Sequence, residues 1–172
     1  EKLYMDIKIN IDKDFELLKK VKSGDLLYLS GELLVARDAA HKRIKEYIDN
    51  NKELPFDLKN KIIYYMGPTP AKPGLKIGSC GPTSSYRMDD FLEMTLKMGV
   101  VATIGKGERA DFVTDLIKKY KSPYLSAFGG AGAYLAKCVI DASIIAFDDL
   151  QSEAVMKLIV KDFPVIVTID AL

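Results

Sequence analysis

From Val100 to the end, strand-like and helix-like segments take turns, and this alternation constrains the fold of the 172-residue chain more than any other feature. VVATIG reads as a strand, ADFVTDLIKKY as a helix, YLSAF as a strand and AYLAKCVI as a helix; SIIAF is then a strand, residues 151 to 160 a short helix and FPVIVTID a last strand. Parallel strands need crossover connections, and helices supply them, so the pattern predicts an α/β layered fold with a mixed, partly parallel sheet. The earlier half fits the same scheme. LYMDIKIN alternates apolar and polar residues, LLYLSGELLVA is a second extended run beyond the basic stretch DFELLKKVKSGD, and KIIYYM is a buried strand. Between the last two, Ala40, Ile44, Tyr47 and Ile48 share one face of a helix that begins at Arg37 and stops at DNNKELP. Tyr86, Met88, Phe91, Leu92 and Leu96 define another helix, with Gly99 placed to cap its C-terminus. No repeat or low-complexity linker divides the sequence, which suits a single domain over residues 1–172.

Charge and cysteine usage narrow the function. The 25 basic and 24 acidic residues leave a formal charge of +1, which argues against nucleic acid or a membrane surface as the main partner. Electrostatic function must therefore be local. Cys80 and Cys138 make no disulfide framework, and with His41 as the only histidine they do not suffice for a structural zinc or an iron-sulfur cluster. No secretory leader and no apolar run of about 18 residues appear, so the expectation is a cytoplasmic protein.

In a layered α/β domain ligands bind where strands end and helices begin, and four such junctions carry unusual residues. LLVARDAAHKR places Arg37 and Asp38 at a strand-to-helix transition, with His41 one turn on. A capping Asp38 flanked by solvated Arg37 and His41 is the plainer account. GPTPAKPGLKIGSCGP, residues 67–82, is a 16-residue loop with four glycines and four prolines, and long loops in compact domains are often functional. It runs through Gly81 into Thr83, Ser84 and Ser85, where N-capping explains one hydroxyl but not three. Arg87 follows at a helix start, where a cation opposes the helix dipole. Thr83 and Arg87, four apart, share a face, so the unpaired N–H groups and the guanidinium together predict a carboxylate or phosphate site.

In TIGKGERADF, Lys106 stands between glycines; the spacing is not that of a Walker loop, and a surface turn is the alternative. FGGAGAY, from Gly129 to Tyr134, lets backbone approach a ligand or another chain closely, though helix packing on the sheet explains it as well. It is not a dinucleotide fingerprint. No G-x-S-x-G elbow supports a Ser-His-Asp site. Cys80, beside a glycine and near a helix start, is a minor nucleophile candidate next to the simpler reading of a buried thiol.

Together ARDAAHKR, YYMGPTPAKPG, GPTSSYRMDDF, IGKGERA and GGAGAYLAK resemble, from about residue 3 to the end, the beta subunit or C-terminal domain of iron-sulfur-dependent class I fumarases and L-tartrate dehydratases. The resemblance implies a swivelling β/β/α fold and a hydro-lyase that reversibly hydrates fumarate to L-malate. It also implies a partner, an alpha subunit whose three cysteines hold a 4Fe-4S cluster, so that this chain binds no metal itself; two such heterodimers would form a heterotetramer.

Residue by residue, Arg37, Arg87 and Lys106 match the family's carboxylate binders, and Thr83 its proposed proton-transfer residue at carbon 3. Thr83, Lys106 and Arg37 are thus the implied catalytic set, with Asp38 and His41 supporting Arg37 and with Gly81 and Ser84 flanking Thr83. Ser84 stands where relatives often carry a second threonine, and relatives usually continue slightly past the final DAL. Burying a dicarboxylate costs several kcal/mol per unpaired charge, so at least two placed cations are required, and three are on offer. L-tartrate dehydration and a non-catalytic dicarboxylate-binding role are the alternatives.

Overall fold

The computed structural model describes residues 6–67, 77–128 and 130–172. Most of the glycine- and proline-rich loop, Gly129 and the start of the first expected strand lie outside the described residues. Among the described residues seven strands are formed: β1 (Asp6–Asn10), β2 (Leu26–Val35), β3 (Ile62–Tyr64), β4 (Ala102–Gly105), β5 (Tyr124–Ser126), β6 (Val139–Ala146) and β7 (Val155–Ile169). The helices are α1 (Ile11–Asp14), α2 (Asp38–Asp49), α3 (Asp89–Lys97), α4 (Phe112–Tyr120) and α5 (Gly132–Lys137). The sheet order is β1-β2-β3-β4-β5-β7-β6, with β1 to β5 parallel and β7 antiparallel to each of its neighbours. The sheet is thus mixed and partly parallel, as the alternation predicts.

Because β7 also pairs with β2, strands β2, β3, β4, β5 and β7 close into a ring. Two long strands make this closure, and an irregularity between them bends it. The register shifts between Leu29 and Gly31, where Gly31 has φ +124° and the facing Asp162 has φ +49°. The Asp162 amide donates to Ser30 Oγ at 3.0 Å, occupying a donor that the shift removes from the ladder. One face of the sheet buries Leu27, Leu29, Leu33, Val35, Leu158 and Phe163. On the other, Leu34, Ile63 and Tyr65 pack with Ile44 of α2, Leu92 of α3 and Ile117 of α4. Strict alternation along β2 (Leu33 to one core, Leu34 to the other) is what lets one sheet serve both.

Local chemistry sets the element ends. Gly99, with φ +98°, terminates α3 as expected, its amide donating to Leu96 O and that of Val100 to Thr95 O. Two expectations are corrected. The short helix predicted at residues 151 to 160 is a 3₁₀ turn at Asp148–Glu153 followed by the first part of β7, because Val155, Leu158 and Val160 gain cross-strand partners on β2 and β6. The helix read through AYLAKCVI stops at Lys137, and Val139 and Ile140 open β6. Between β1 and β2, α1 leads into a 3₁₀ helix at Phe15–Lys19 within the basic stretch; Asn10 caps α1 through its side chain, accepting from the Asp12 and Lys13 amides.

Candidate active site

Strands β2 to β5 run parallel, so their carboxyl ends open on one side, and the chain leaving each delivers a different group there. Arg37 follows β2, Gly67 follows β3, Lys106 follows β4, and the segment from Gly130 to Ala133 follows β5. The Thr83 segment is stitched between the ends of β3 and β4. Thr83 N donates to Tyr65 O at 2.9 Å, Ser85 N to Lys106 O at 3.0 Å and Lys106 N to Thr83 O at 3.3 Å. Arg37, Thr83, Lys106 and Gly81 thereby line one cleft of about 560 Å³, whose remaining wall is Gly67, Ser79, Pro82, Gly130, Gly132 and Ala133. Among the described residues no carboxylate lines it.

The walls are thin for a physical reason. A Cβ on Gly67 would stand 3.1 Å from Arg37 Nη1, and one on Gly132 would meet the Ser79 hydroxyl and lie 3.0 Å from the Gly81 amide nitrogen. Missing side chains at these positions leave room for the guanidinium and for the close approach of α5 to the loop. Arg37 Nε is buried and has no hydrogen-bond partner among the described residues, and an unpaired buried donor of a cation is a place for an anion.

Arg87 lies one step behind the cleft. It sits in a 3₁₀ turn at Ser85–Met88 ahead of α3, and its Nε and Nη2 donate to both oxygens of Asp38 at 3.1 and 3.3 Å. Nη2 also donates to Thr83 Oγ1 at 2.8 Å, the contact that the four-residue spacing anticipates. Asp38 is what makes a cation tolerable at this place, while Asp89 and Asp90 take the first turn of α3, where the dipole favours acids. Two of the N–H groups expected to be free at this helix start, those of Thr83 and Ser85, donate to the chain at the ends of β3 and β4.

Asp38 and His41 divide their support differently from the sequence expectation. Asp38 pairs with Arg87 rather than with Arg37. Burial works to raise its carboxyl, but the hydrogen bond and charge of Arg87, aided by Arg37, hold it below its ordinary value. His41 is fully buried rather than solvated; Nδ1–H donates to Arg37 O at 2.7 Å and so fixes the backbone from which Arg37 projects. Burial, outweighing that hydrogen bond, pushes the imidazole down to about 4, and it is neutral at pH 7. Its bare Nε2 has no partner among the described residues. Ser84 bridges to Lys106 and faces the neighbouring groove with Tyr86 and Glu108, not the cleft. Cys80 has no exposed surface, and burial pushes its thiol up to about 12, which removes it as a nucleophile.

Sequence reasoning missed Ser79 in the wall and a buried pair beside the site, Asp89 and Arg109. Asp89 was findable: it shares the apolar stripe of Leu92 and Leu96 at spacings of three and seven, so a carboxylate on the buried face of α3 needs a buried partner.

Comparison with known proteins gives a consistent result. The profile of the fumarase C-terminus family matches residues 1–172. Fumarate hydratase 2 of Leishmania major is 41% identical over 168 residues, 96% of this chain and 30% of that protein. The anaerobic class I fumarate hydratase of Escherichia coli is 39% identical over 146 residues, 84% of this chain and 27% of that protein. A Methanocaldococcus jannaschii protein assigned as an L(+)-tartrate dehydratase subunit beta is 40% identical over 160 residues, 90% of this chain and 82% of that protein. The chain thus spans under a third of the fumarate hydratases it matches but most of the subunit beta. Matched over its whole length by the family profile and about 40% identical to these relatives, the chain belongs to the fumarase C-terminus family and resembles class I fumarate hydratases and an assigned tartrate dehydratase beta subunit.

Proposed function

We propose that this chain is the beta component of a two-chain hydro-lyase that interconverts fumarate and L-malate, with the swivelling β/β/α arrangement of that family. The observation that carries the reading is the convergence of Arg37, Lys106 and Thr83 on one cleft that no carboxylate lines among the described residues. Arg37 and Lys106 hold the two carboxylates of the substrate, the guanidinium through charge-assisted hydrogen bonds. Arg87 acts on Thr83 rather than on substrate. A guanidinium donating to Oγ1 stabilises negative charge on that oxygen, the form a threonine needs to take a proton from carbon 3 of malate. In the hydration direction the same hydroxyl returns the proton to carbon 3, while hydroxide adds to carbon 2.

The reading puts the family's 4Fe-4S cluster on a partner rather than on this chain. Its two cysteines are too few for three thiolate ligands, Cys80 is sealed in the core, and no group of three metal-binding side chains occurs among the described residues. We assign the cluster to an alpha subunit, where it supplies a Lewis acid for substrate oxygens, with a heterotetramer as the full assembly. L-tartrate dehydration is the second reading, favoured by the relative of comparable length.

The test is anaerobic mixing with a cognate cluster-bearing subunit and a panel of fumarate, L-malate and L-tartrate. Fumarate hydration is expected only in the mixture, with loss of at least 100-fold for Thr83→Val, in line with the roughly 10²- to 10⁴-fold contribution of a positioned proton-transfer group. Turnover of tartrate alone selects the second reading. Dicarboxylate binding by this chain with no turnover in any mixture leaves only a binding module.

A further inference from the structure

Beside the cleft, at the groove that Ser84, Tyr86 and Glu108 face, lies a polar cluster that takes no part in the chemistry above. Arg109 and Asp89 are 1% and 4% exposed, and Arg109 Nε donates to Asp89 Oδ1 at 2.5 Å. The other Asp89 oxygen accepts from Ala110 N at 2.7 Å, so the carboxylate holds both the side chain and the backbone of the segment after Lys106. Arg109 further donates to Thr103 Oγ1 at 3.2 Å and lies over the ring of Tyr124, 4.8 Å from its centroid. The Tyr124 hydroxyl in turn bonds Ser85 Oγ and Gly107 O, each at 2.9 Å. Each tie ends on one of two segments, the one from Thr83 to Asp89 or the one from Lys106 to Ala110. Between them run the backbone bonds from Ser85 N to Lys106 O and from Lys106 N to Thr83 O, which hold two residues of one cleft wall side by side.

We infer that Arg109 is a positioning residue, whose guanidinium latches the Lys106 turn onto the Thr83 segment and so fixes the distance between the carboxylate-binding cation and the proton-transfer hydroxyl. The inference rests on the proposed hydro-lyase reading for its kinetic consequence but not for its structural one. A lysine at this position keeps the charge opposite Asp89, so no bare carboxylate is buried, but it lacks the planar fork that reaches Thr103 and covers Tyr124. The latch then loosens while the fold survives. A displacement of about 1 Å between reacting groups lowers rate by on the order of 100-fold, and it falls on kcat because both groups are still present to bind substrate.

The experiment compares Arg109→Lys with Leu18→Ala, a core truncation in the 3₁₀ helix at Phe15–Lys19, remote in sequence from the cleft residues. Both are measured in the reconstituted complex and in the chain alone. For Arg109→Lys, kcat should fall at least tenfold at a KM within about threefold, and amide hydrogen exchange at Ser85 and Lys106 should quicken at least tenfold. Leu18→Ala should lower Tm while leaving kcat within twofold and those two amides protected. If Arg109→Lys retains wild-type kcat in an active complex, or loses no more than Leu18→Ala does, the latch is wrong. If the wild-type complex turns over no substrate, the hydro-lyase reading fails and the exchange arm alone decides: unchanged protection at Ser85 and Lys106 overturns the inference, and faster exchange sustains it.

Discussion

At the residue scale, His41 ties stability to pH through a group that touches no substrate. Its folded pKa of about 4 lies below the ordinary 6.5, because burial opposes the imidazolium. Between those values the unfolded chain binds a proton that the folded chain refuses. Stability is therefore full above pH 6.5, declines as pH falls toward 4 and levels off below, a loss of roughly 3 kcal/mol for a shift of this size. Urea midpoints measured from pH 7 to pH 4 should show this slope, and His41→Leu should flatten it. An unchanged slope in the variant would assign it elsewhere. Asp38 acts in the same direction at lower pH: held by Arg87 below its ordinary 3.8, it stays paired until the pH falls below that value. Asp38→Asn removes the counter-charge without removing Arg87. Because the pair is about one-third exposed, the stability change should stay within about 1 kcal/mol. The larger effect should appear in kcat, since Arg87 no longer has a carboxylate orienting it toward Thr83.

At the element scale, the contact between α5 and the Ser79–Gly81 loop decides whether the cleft has its wall. Gly132→Ala places a methyl against the Ser79 hydroxyl and near the Gly81 backbone, where a side-chain rotation relieves only the first contact. A destabilisation of about 1 to 3 kcal/mol is expected from such overpacking, with loss of substrate affinity as the loop moves away from Thr83; calorimetry and KM together check it. Gly132→Ala with wild-type values of both would mean the loop yields freely. The same elements show what could be read from sequence. The alternating order, the parallel sheet and the junctions carrying Arg37, Thr83 and Lys106 were legible because each depends on local periodicity and turn residues. The start of β7 was not, since Val155-Met156-Lys157-Leu158 carries an apolar pattern that suits either element and becomes a strand only through partners on β2 and β6. The partner of Arg87 was not legible for a related reason: its counter-ion Asp38 is distant in sequence and is brought beside it by the packing of α2 on the following turn.

At the scale of the whole molecule, the sheet and its helix layer meet through a charged pair rather than through apolar contacts alone. Asp89 of α3 and Arg109 after β4 are both sealed, with Tyr65 after β3 and Tyr124 of β5 packed on the guanidinium. Such a pair has an asymmetry that a simple count of contacts misses. Truncating one member strands the other charge in the interior at a cost of about 3 to 5 kcal/mol, whereas replacing both with apolar groups of similar volume is often close to neutral. Arg109→Leu should accordingly destabilise more than the double variant Arg109→Leu with Asp89→Leu, even though the double variant removes more native hydrogen bonds. Urea unfolding of the two proteins decides the matter. If the double variant proves the less stable, the pair contributes net stability beyond mutual neutralisation. If it proves the more stable yet inactive in the complex, the charges are retained for placing Lys106 against Thr83, which is the role the latch requires.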